Sequence, residues 1–386
     1  MYALKNVFEK RFCSLSKGGG KMTRRKSVTI RDVAELAQVS ISTVSQVLNG
    51  NKQYVGEAKR DRVLTAVQTL QYRPNAIARS MVKRRTAIIG VVLTSVEGSL
   101  FVPIVERIQE VLRPLGYNII LASSPDVESE IQAIEALKAQ QVDGFIFMSF
   151  MSTNLQYQSA HLLRLKEEGI PFVVINRPLE QEYDFNQIQF NHWEAGYLAA
   201  EHLINLGHTS IATISGPLDH VPPWLSAIDR HRGWLQALKD HDLEIVPEWI
   251  CDGQYSYEGG YKATLQLLAH CAREQRRPTA LFVANDNMTL GALRALYYHG
   301  VRVPHDLALV MVGDPIYAAH MFPALTTFAH PIAEAGHIAA RILLDHLHSP
   351  DPVQIQKVML SHQLHIRESC GTNPEPAFVS FQHLTT

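Results

Sequence analysis

The chain has 386 residues, 46% of them hydrophobic and 19% charged, enough for two or three globular units with sizeable cores. No run of about 18 apolar residues occurs, which excludes a membrane-spanning helix, and residues 1–20 lack the apolar core of a secretory signal. The net charge of −1 hides an asymmetry: residues 1–85 carry 18 Lys and Arg against 5 Asp and Glu, so the first unit alone suits a polyanionic partner.

At the start, Gly18, Gly19 and Gly20 stand just before Met22. The purine-rich GG repeats of a ribosome-binding site would read as glycine codons if translated. Met22 is therefore the expected true start, and residues 1–27 are expected to be an extension outside the folded unit.

From Val28 the chain reads VTIRDVAELAQVSISTVSQVLNG. Thr29 is a candidate N-cap, with Asp32 in the first turn favouring the positive helix end. Val33, Ala34, Leu36 and Ala37 make an apolar stripe. Gln38, Val39 and Ser40 turn the chain, and Ser40 can cap a second helix, Ile41 to Leu48. Val44, Val47 and Leu48 are expected inside it; Ser42, Thr43, Ser45 and Gln46 are left outside. Asn49-Gly50 stops it. A third helix, from about Gly56 to Leu70, buries Ala58, Val63, Ala66, Val67 and Leu70. Short hydroxyl and amide side chains on the outer face of the second helix fit entry into a major groove.

TIRDVAELAQVSISTVSQVLNG, followed by LQYRPNAIARSM, resembles the DNA-binding signature of the lac-repressor (LacI/GalR) family, and the similarity runs from about Val28 to about Arg367. The resemblance implies a helix-turn-helix domain over residues 28–73. Ile41, Ser42, Ser45 and Gln46 then take base-facing positions, and Thr29, Ser40, Thr43, Asn49 and Tyr72 position phosphates. Many members carry Arg where this chain has Gln46. Residues 74–85 correspond to a hinge helix that folds on operator DNA in a dimer. There Met81 is the minor-groove wedge where Leu is usual, and Asn75, Ala78 and Arg79 line the groove.

From Thr86 the pattern changes to alternating strands and helices. AIIGVVL, NIILASS, VDGFIFMSF and PFVVINRP read as buried strands, with helices at 101–115, 129–140 and 162–168 between them. A second set follows Trp193: a helix to Leu206, strands TSIATISGP, TALFVAND and LALVMVGD, and helices at 230–240, 258–272 and 288–300. LTTFAHP reads as a linking segment. The expected fold is an all-α helix-turn-helix domain plus an α/β periplasmic-binding-protein-like effector domain, residues 86–370, of two doubly wound lobes. Residues 371–386 form a tail without a heptad pattern.

Ligand contacts are expected at the carboxyl ends of the strands. Arg230 matches the family's effector-contacting arginine, and Tyr255 matches a frequent aromatic contact. Asn285 follows a strand directly, and Phe101, Ser149, Arg177 and Asn191 are candidates from the first lobe and its edge. Where the family often reads G-[FY]-D-D, this chain has Met311-Val312-Gly313-Asp314, so Asp314 serves only with a one-residue shift. The family's Asp-Asn pair appears as Asn191-His192. His220 to Trp224, HVPPW, is an unassigned loop.

No catalytic constellation, phosphate loop or HExxH spacing occurs, and the 18 histidines look scattered. The four cysteines, Cys13, Cys251, Cys271 and Cys370, are far apart and suit reduced thiols. The expectation is a cytoplasmic, homodimeric regulator, not an enzyme, with no metal or cofactor. Its partners would be a roughly palindromic operator and a small-molecule effector, a sugar or sugar derivative by resemblance.

Overall fold

A computed structural model describes residues 28–48, 55–72, 85–94, 100–148, 160–177, 184–219 and 225–372. The expected extension and Met22, Asn49, the hinge with Asn75, Ala78, Arg79 and Met81, Ser149, His220–Trp224 and the last residues of the tail lie outside them. The chain divides into two compact units, Met1–Arg84 and Arg85–Thr386.

Among the described residues of the first unit are three helices, α1 (Ile30–Ala37), α2 (Ile41–Leu48) and α3 (Glu57–Thr69). Val33, Ala34, Ala37, Val44, Val63 and Ala66 form its buried core. Two expectations need correcting. Leu36 is 52% exposed, because it flanks the face of α1 that Val33, Ala34 and Ala37 turn to the core, about 100° of helix rotation from its centre. Ala58 is exposed too, since only the later turns of α3 reach the core.

The second unit has two six-stranded sheets. One runs β11 (Lys357–Leu360), β5 (Asn186–Phe190), β4 (Phe172–Ile175), β3 (Gly144–Met148), β1 (Ile88–Leu93), β2 (Asn118–Ser123), all parallel. Along β3 the side chains alternate: Phe145 and Phe147 join Ile134, Leu137, Leu162 and Leu165, while Ile146 and Met148 face the opposite core. The first face is covered by α5 (Val127–Ala139) and α6 (Ala160–Glu167). The other is covered by α4 (Phe101–Leu112) and a late helix, α11 (Ile332–His348).

The second sheet runs β12 (Gln363–His365), β10 (Thr326–Ala329), β9 (Ala308–Val312), β8 (Ala280–Val283), β6 (Ile211–Ser215), β7 (Ile250–Asp252), with β12 antiparallel at the edge. Its helices are α7 (His192–Asn205), α8 (Leu225–Asp240), α9 (Tyr257–Glu274) and α10 (Asp286–Tyr298). Two helix pairs meet backbone to backbone through reciprocal glycines. A Cβ on Gly196 of α7 would lie 1.9 Å from the Arg230 carbonyl oxygen, and one on Gly233 of α8 would lie 2.0 Å from that of Trp193. Gly260 and Gly291 stand in the same relation between α9 and α10, at 2.2 Å from the Met288 carbonyl oxygen and 2.1 Å from that of Tyr257.

Two lobes of similar α/β build are thus present as expected, with differences. LTTFA is not a link: Thr326–Ala329 is an internal strand between β9 and β12. β5, β7, β11, β12 and α11 were not anticipated. The chain passes from one sheet to the other three times, after β5, after β10 and between β11 and β12.

Candidate functional site

In the first unit, the turn between α1 and α2 is set by local chemistry. Thr29 and Asp32 close a capping box: the Thr29 amide donates to Asp32 Oδ2 at 2.7 Å, and the Asp32 amide donates to Thr29 Oγ1 at 3.4 Å. Gln38 ends α1 in the left-handed region, φ 51°. Ser40 then serves as a hub. Its Oγ accepts from the Thr43 amide at 3.2 Å and lies 2.7 Å from Ser42 Oγ and 2.8 Å from Thr43 Oγ1. Val44 anchors α2 in the core, while Ser42 is exposed, Ile41 is 43% exposed, and Ser45 and Gln46 are half-buried. Tyr72 is half-buried against the same core. A solvent-facing apolar residue beside hydroxyls and an amide, on a helix inside a basic segment, can read base edges and a thymine methyl.

In the second unit, Arg230 is the focus. It is 5% exposed on α8. One terminal nitrogen donates to the Ala284 carbonyl at 2.7 Å, just past β8, and the other lies 3.1 Å from His192 Nδ1. Burial pulls the guanidinium below its ordinary value, and the nearby Tyr255 and Asp286 oppose that. Gln254 and Tyr255 both have positive φ, 56° and 50°, a strained pair that swings the Tyr255 ring over Gly216. The Tyr255 hydroxyl lies 3.3 Å from Ser226 Oγ. Burial, then the charge of Asp286, pushes the Tyr317 hydroxyl up, so Asp286 acts on both groups. Arg230 and Tyr255, with the charge of Asp286 acting on Arg230 and on Tyr317, are polar and aromatic groups of the kind that suit hydroxyl-rich ligands.

Other expected contacts are engaged differently. Asn191 and Asn285 each spend their side-chain oxygen capping a helix: Asn191 accepts from the Glu194 amide at 3.1 Å and Asn285 from the Met288 amide at 2.9 Å. The cap takes one lone pair of each oxygen and so reduces what it can offer a ligand. Asp314 accepts from Arg367, at 2.8 Å and 3.2 Å, and from Thr327 at 2.9 Å, with His365 Nδ1 at 2.7 Å. Burial opposes its ionisation, but these partners hold its carboxyl below the usual range. Arg177 pairs with the buried Glu130 at 2.6 Å, and Glu130 also meets His161 at 2.5 Å. Phe101 is 7% exposed and packs in the core of the first lobe.

A feature missed in the sequence is a group of histidines beside Arg230, His192 and His362 buried and His330 half-buried. His192, His330 and His362 approach with ring centroids 4.8 to 6.3 Å apart, and Phe190 lies against all three. They are 138 and 32 residues apart in sequence, and no spacing rule links them. Burial first, then Arg230 and neighbouring imidazoles, keeps His192 and His330 well below the usual histidine value and pulls His362 down to about 3. Among the described residues no group of three or more His, Cys, Asp or Glu is arranged to hold a metal ion, and no helix is long and apolar enough to cross a membrane.

Residues 29–75 match the model of bacterial regulatory proteins of the lacI family, and residues 200–370 match a periplasmic binding protein-like domain. The catabolite control protein A of Priestia megaterium is 31% identical over 344 residues, 89% of this chain and 99% of that protein. A lac repressor dimer bound to operator and an anti-inducer is similar at 30% identity, with a TM-score of 0.76, over 89% of this chain and 99% of the other. The regulator CelR in complex with cellobiose, also 30% identical, covers the same shares with a TM-score of 0.63.

Proposed function

The chain belongs to the lacI family of bacterial regulatory proteins, and from that premise we propose that it is a transcriptional repressor, not an enzyme, whose hold on operator DNA is set by a small molecule. In this reading residues 28–73 bind DNA, 74–85 form the hinge, and 86–370 bind the effector. Thr29, Ser40 and Thr43 place α2 against phosphates, and Ile41, Ser42, Ser45 and Gln46 face bases.

The observation that carries the reading is the buried Arg230, held between the Ala284 carbonyl and His192 beside Tyr255 and Asp286. A guanidinium fork with a carboxylate and two phenols matches the paired hydroxyls of a sugar or sugar derivative. The similarity to a cellobiose-bound regulator supports that class. Phe101, Arg177 and Asp314 have their partners elsewhere and stabilise their lobes, and Ser149 lies outside the described residues.

We assign the homodimer contact to the outer surface of α10 and the segment before β10. Tyr297, Tyr298 and Phe322 are 60–97% exposed, Tyr297 and Tyr298 side by side and Tyr297 and Phe322 lining one groove, apolar surface that a second copy would cover. The test is a gel shift on the protein's own promoter region, with a thermal-shift screen against sugars and nucleosides. A ligand at 100 times its Kd should add about 2.7 kcal/mol. No shifted complex under any ligand condition overturns the repressor reading.

A further inference from the structure

Each of the three passages between the sheets delivers one histidine to one cluster, in which His192 and His362 are buried and His330 half-buried. His192 opens α7 just after β5, His330 follows β10, and His362 lies between β11 and β12. The rings of His330 and His362 are hydrogen-bonded, Nδ1 to Nε2, at 2.9 Å. Phe190 stacks on His330 at 5.4 Å. The charged and titratable groups acting on the cluster are Arg230 and the histidines themselves.

Hydrogen bonding fixes the state of His192. A guanidinium has only donors, so at 3.1 Å from Arg230 the Nδ1 atom must accept. The proton then sits on Nε2, which donates to Asn176 Oδ1 at 2.9 Å. Asn176 follows β4 in the first sheet, and its own amide donates to the Ile188 carbonyl of β5 at 2.7 Å. The other terminal nitrogen of Arg230 is tied to the end of β8 in the second sheet. One imidazole therefore links the guanidinium to the opposite lobe. The Nε of Arg230 is buried without a partner among the described residues.

We propose that His192 is the positioning residue for Arg230: neutral and protonated on Nε2, it fixes the guanidinium and ties it to Asn176 across the lobes. Adding a proton to Nδ1 removes the acceptor and sets two cations side by side, which frees the terminal nitrogen that faced His192 and breaks the link between lobes, while the other terminal nitrogen keeps the Ala284 carbonyl. The depressed basicity of all three histidines agrees with this geometry, since a charged imidazole has no carboxylate partner in the cluster. The proposal rests on the reading of Arg230 as the ligand contact only for its consequence, not for its test.

The test uses the full chain labelled with 15N at histidine and arginine. In the wild type, His192 is expected as the Nε2–H tautomer, unchanged from pH 8 to pH 5.5, and the Arg230 terminal nitrogens are expected to rotate slowly. His192→Asn keeps an acceptor where Nδ1 was and should preserve slow rotation. His192→Phe should give fast averaging at the terminal nitrogen that faced His192, and not at the one held by the Ala284 carbonyl. An Nδ1–H tautomer, a midpoint near the ordinary histidine value, or the same slow rotation in His192→Phe overturns the proposal. Should His192→Phe fail to fold, the wild-type tautomer and titration still decide. These readouts need no effector. An inert sugar and nucleoside panel with the expected tautomer would count against the effector reading alone.

Discussion

Glu130 and Arg177 form an ion pair of 2.6 Å with side chains only 4% and 2% exposed, and His161 Nε2 meets the same carboxylate oxygen at 2.5 Å. Burial alone would raise the Glu130 carboxyl, but His161 and Arg177 outweigh it and hold it below the usual value. The pair joins α5 to the end of β4. Removing one partner leaves a buried charge alone. Glu130→Ala should therefore cost about 3–5 kcal/mol of stability. Urea unfolding reads this directly, and a loss under about 1 kcal/mol would remove the structural role assigned to Arg177.

Acid should weaken the second unit through its histidines. His192, His330 and His362 are held below the ordinary value, His362 at about 3. An unfolded chain titrates these rings near about 6.5. Below that pH the unfolded state binds more protons, so stability falls as pH falls toward the folded values. Each ring kept neutral contributes a slope of about 1.4 kcal/mol per pH unit. Urea unfolding at pH 7.5 and 5.5 should show the loss, and His362→Gln should flatten it. Equal stability at both values would contradict the buried, neutral state.

Arg230→Ala should abolish the response to the effector and leave operator binding nearly intact. Losing charge-assisted hydrogen bonds to a ligand costs about 1.5–3 kcal/mol. Titration calorimetry with a hit from the sugar panel measures it. An unchanged affinity would move the ligand site elsewhere.

Gln46 lies on α2 one turn beyond the exposed Ser42. Gln suits the N6/N7 edge of adenine and Arg the O6/N7 edge of guanine. Gln46→Arg should shift one base pair per half-site from A·T toward G·C, by about 1–3 kcal/mol. Selection from a random DNA pool with both proteins tests this. Identical motifs would pass the discrimination to Ile41 and Ser42.

Gly196→Ala should push α8 from α7, because the added carbon meets the Arg230 carbonyl oxygen at 1.9 Å. Overpacking of this kind costs about 1–3 kcal/mol. A melting temperature equal to that of the wild type would mean that the two helices separate freely.

What was legible in the sequence was what neighbours in the chain decide. Thr29 with Asp32, and Ser40 with Thr43, set the helix-turn-helix within three residues of each other. Apolar runs such as Ile88–Leu93 and Ala308–Val312 announced the central strands. β5 escaped because NQIQF is half polar; its Asn186 and Gln187 are nevertheless buried, the Asn186 Oδ1 accepting from the Gln356 amide at 3.0 Å. Thr326 and Thr327 of β10 looked like linker residues but hydrogen-bond to Arg367 and Asp314, some 40 and 13 residues away in sequence. The same distance effect hid the histidines. Asn285 follows β8 closely, as the sequence reads, and Asn191 follows β5; at both positions a helix cap draws on the oxygen that a ligand would use.

The three passages between the sheets also decide how the second unit can be taken apart. α11 and β11 belong to the first lobe, yet they arrive from the last third of the chain. Ala335, Ala339, Ile342 and Leu343 of α11 fill the same core as Ile104 and Ile108 of α4. A gene cut after Asn191 would therefore yield no self-sufficient half. The leading fragment would expose an uncovered sheet face, and the trailing one would carry a homeless helix. Complementation of two such fragments in one cell, rather than expression of either alone, is how this unit could be divided.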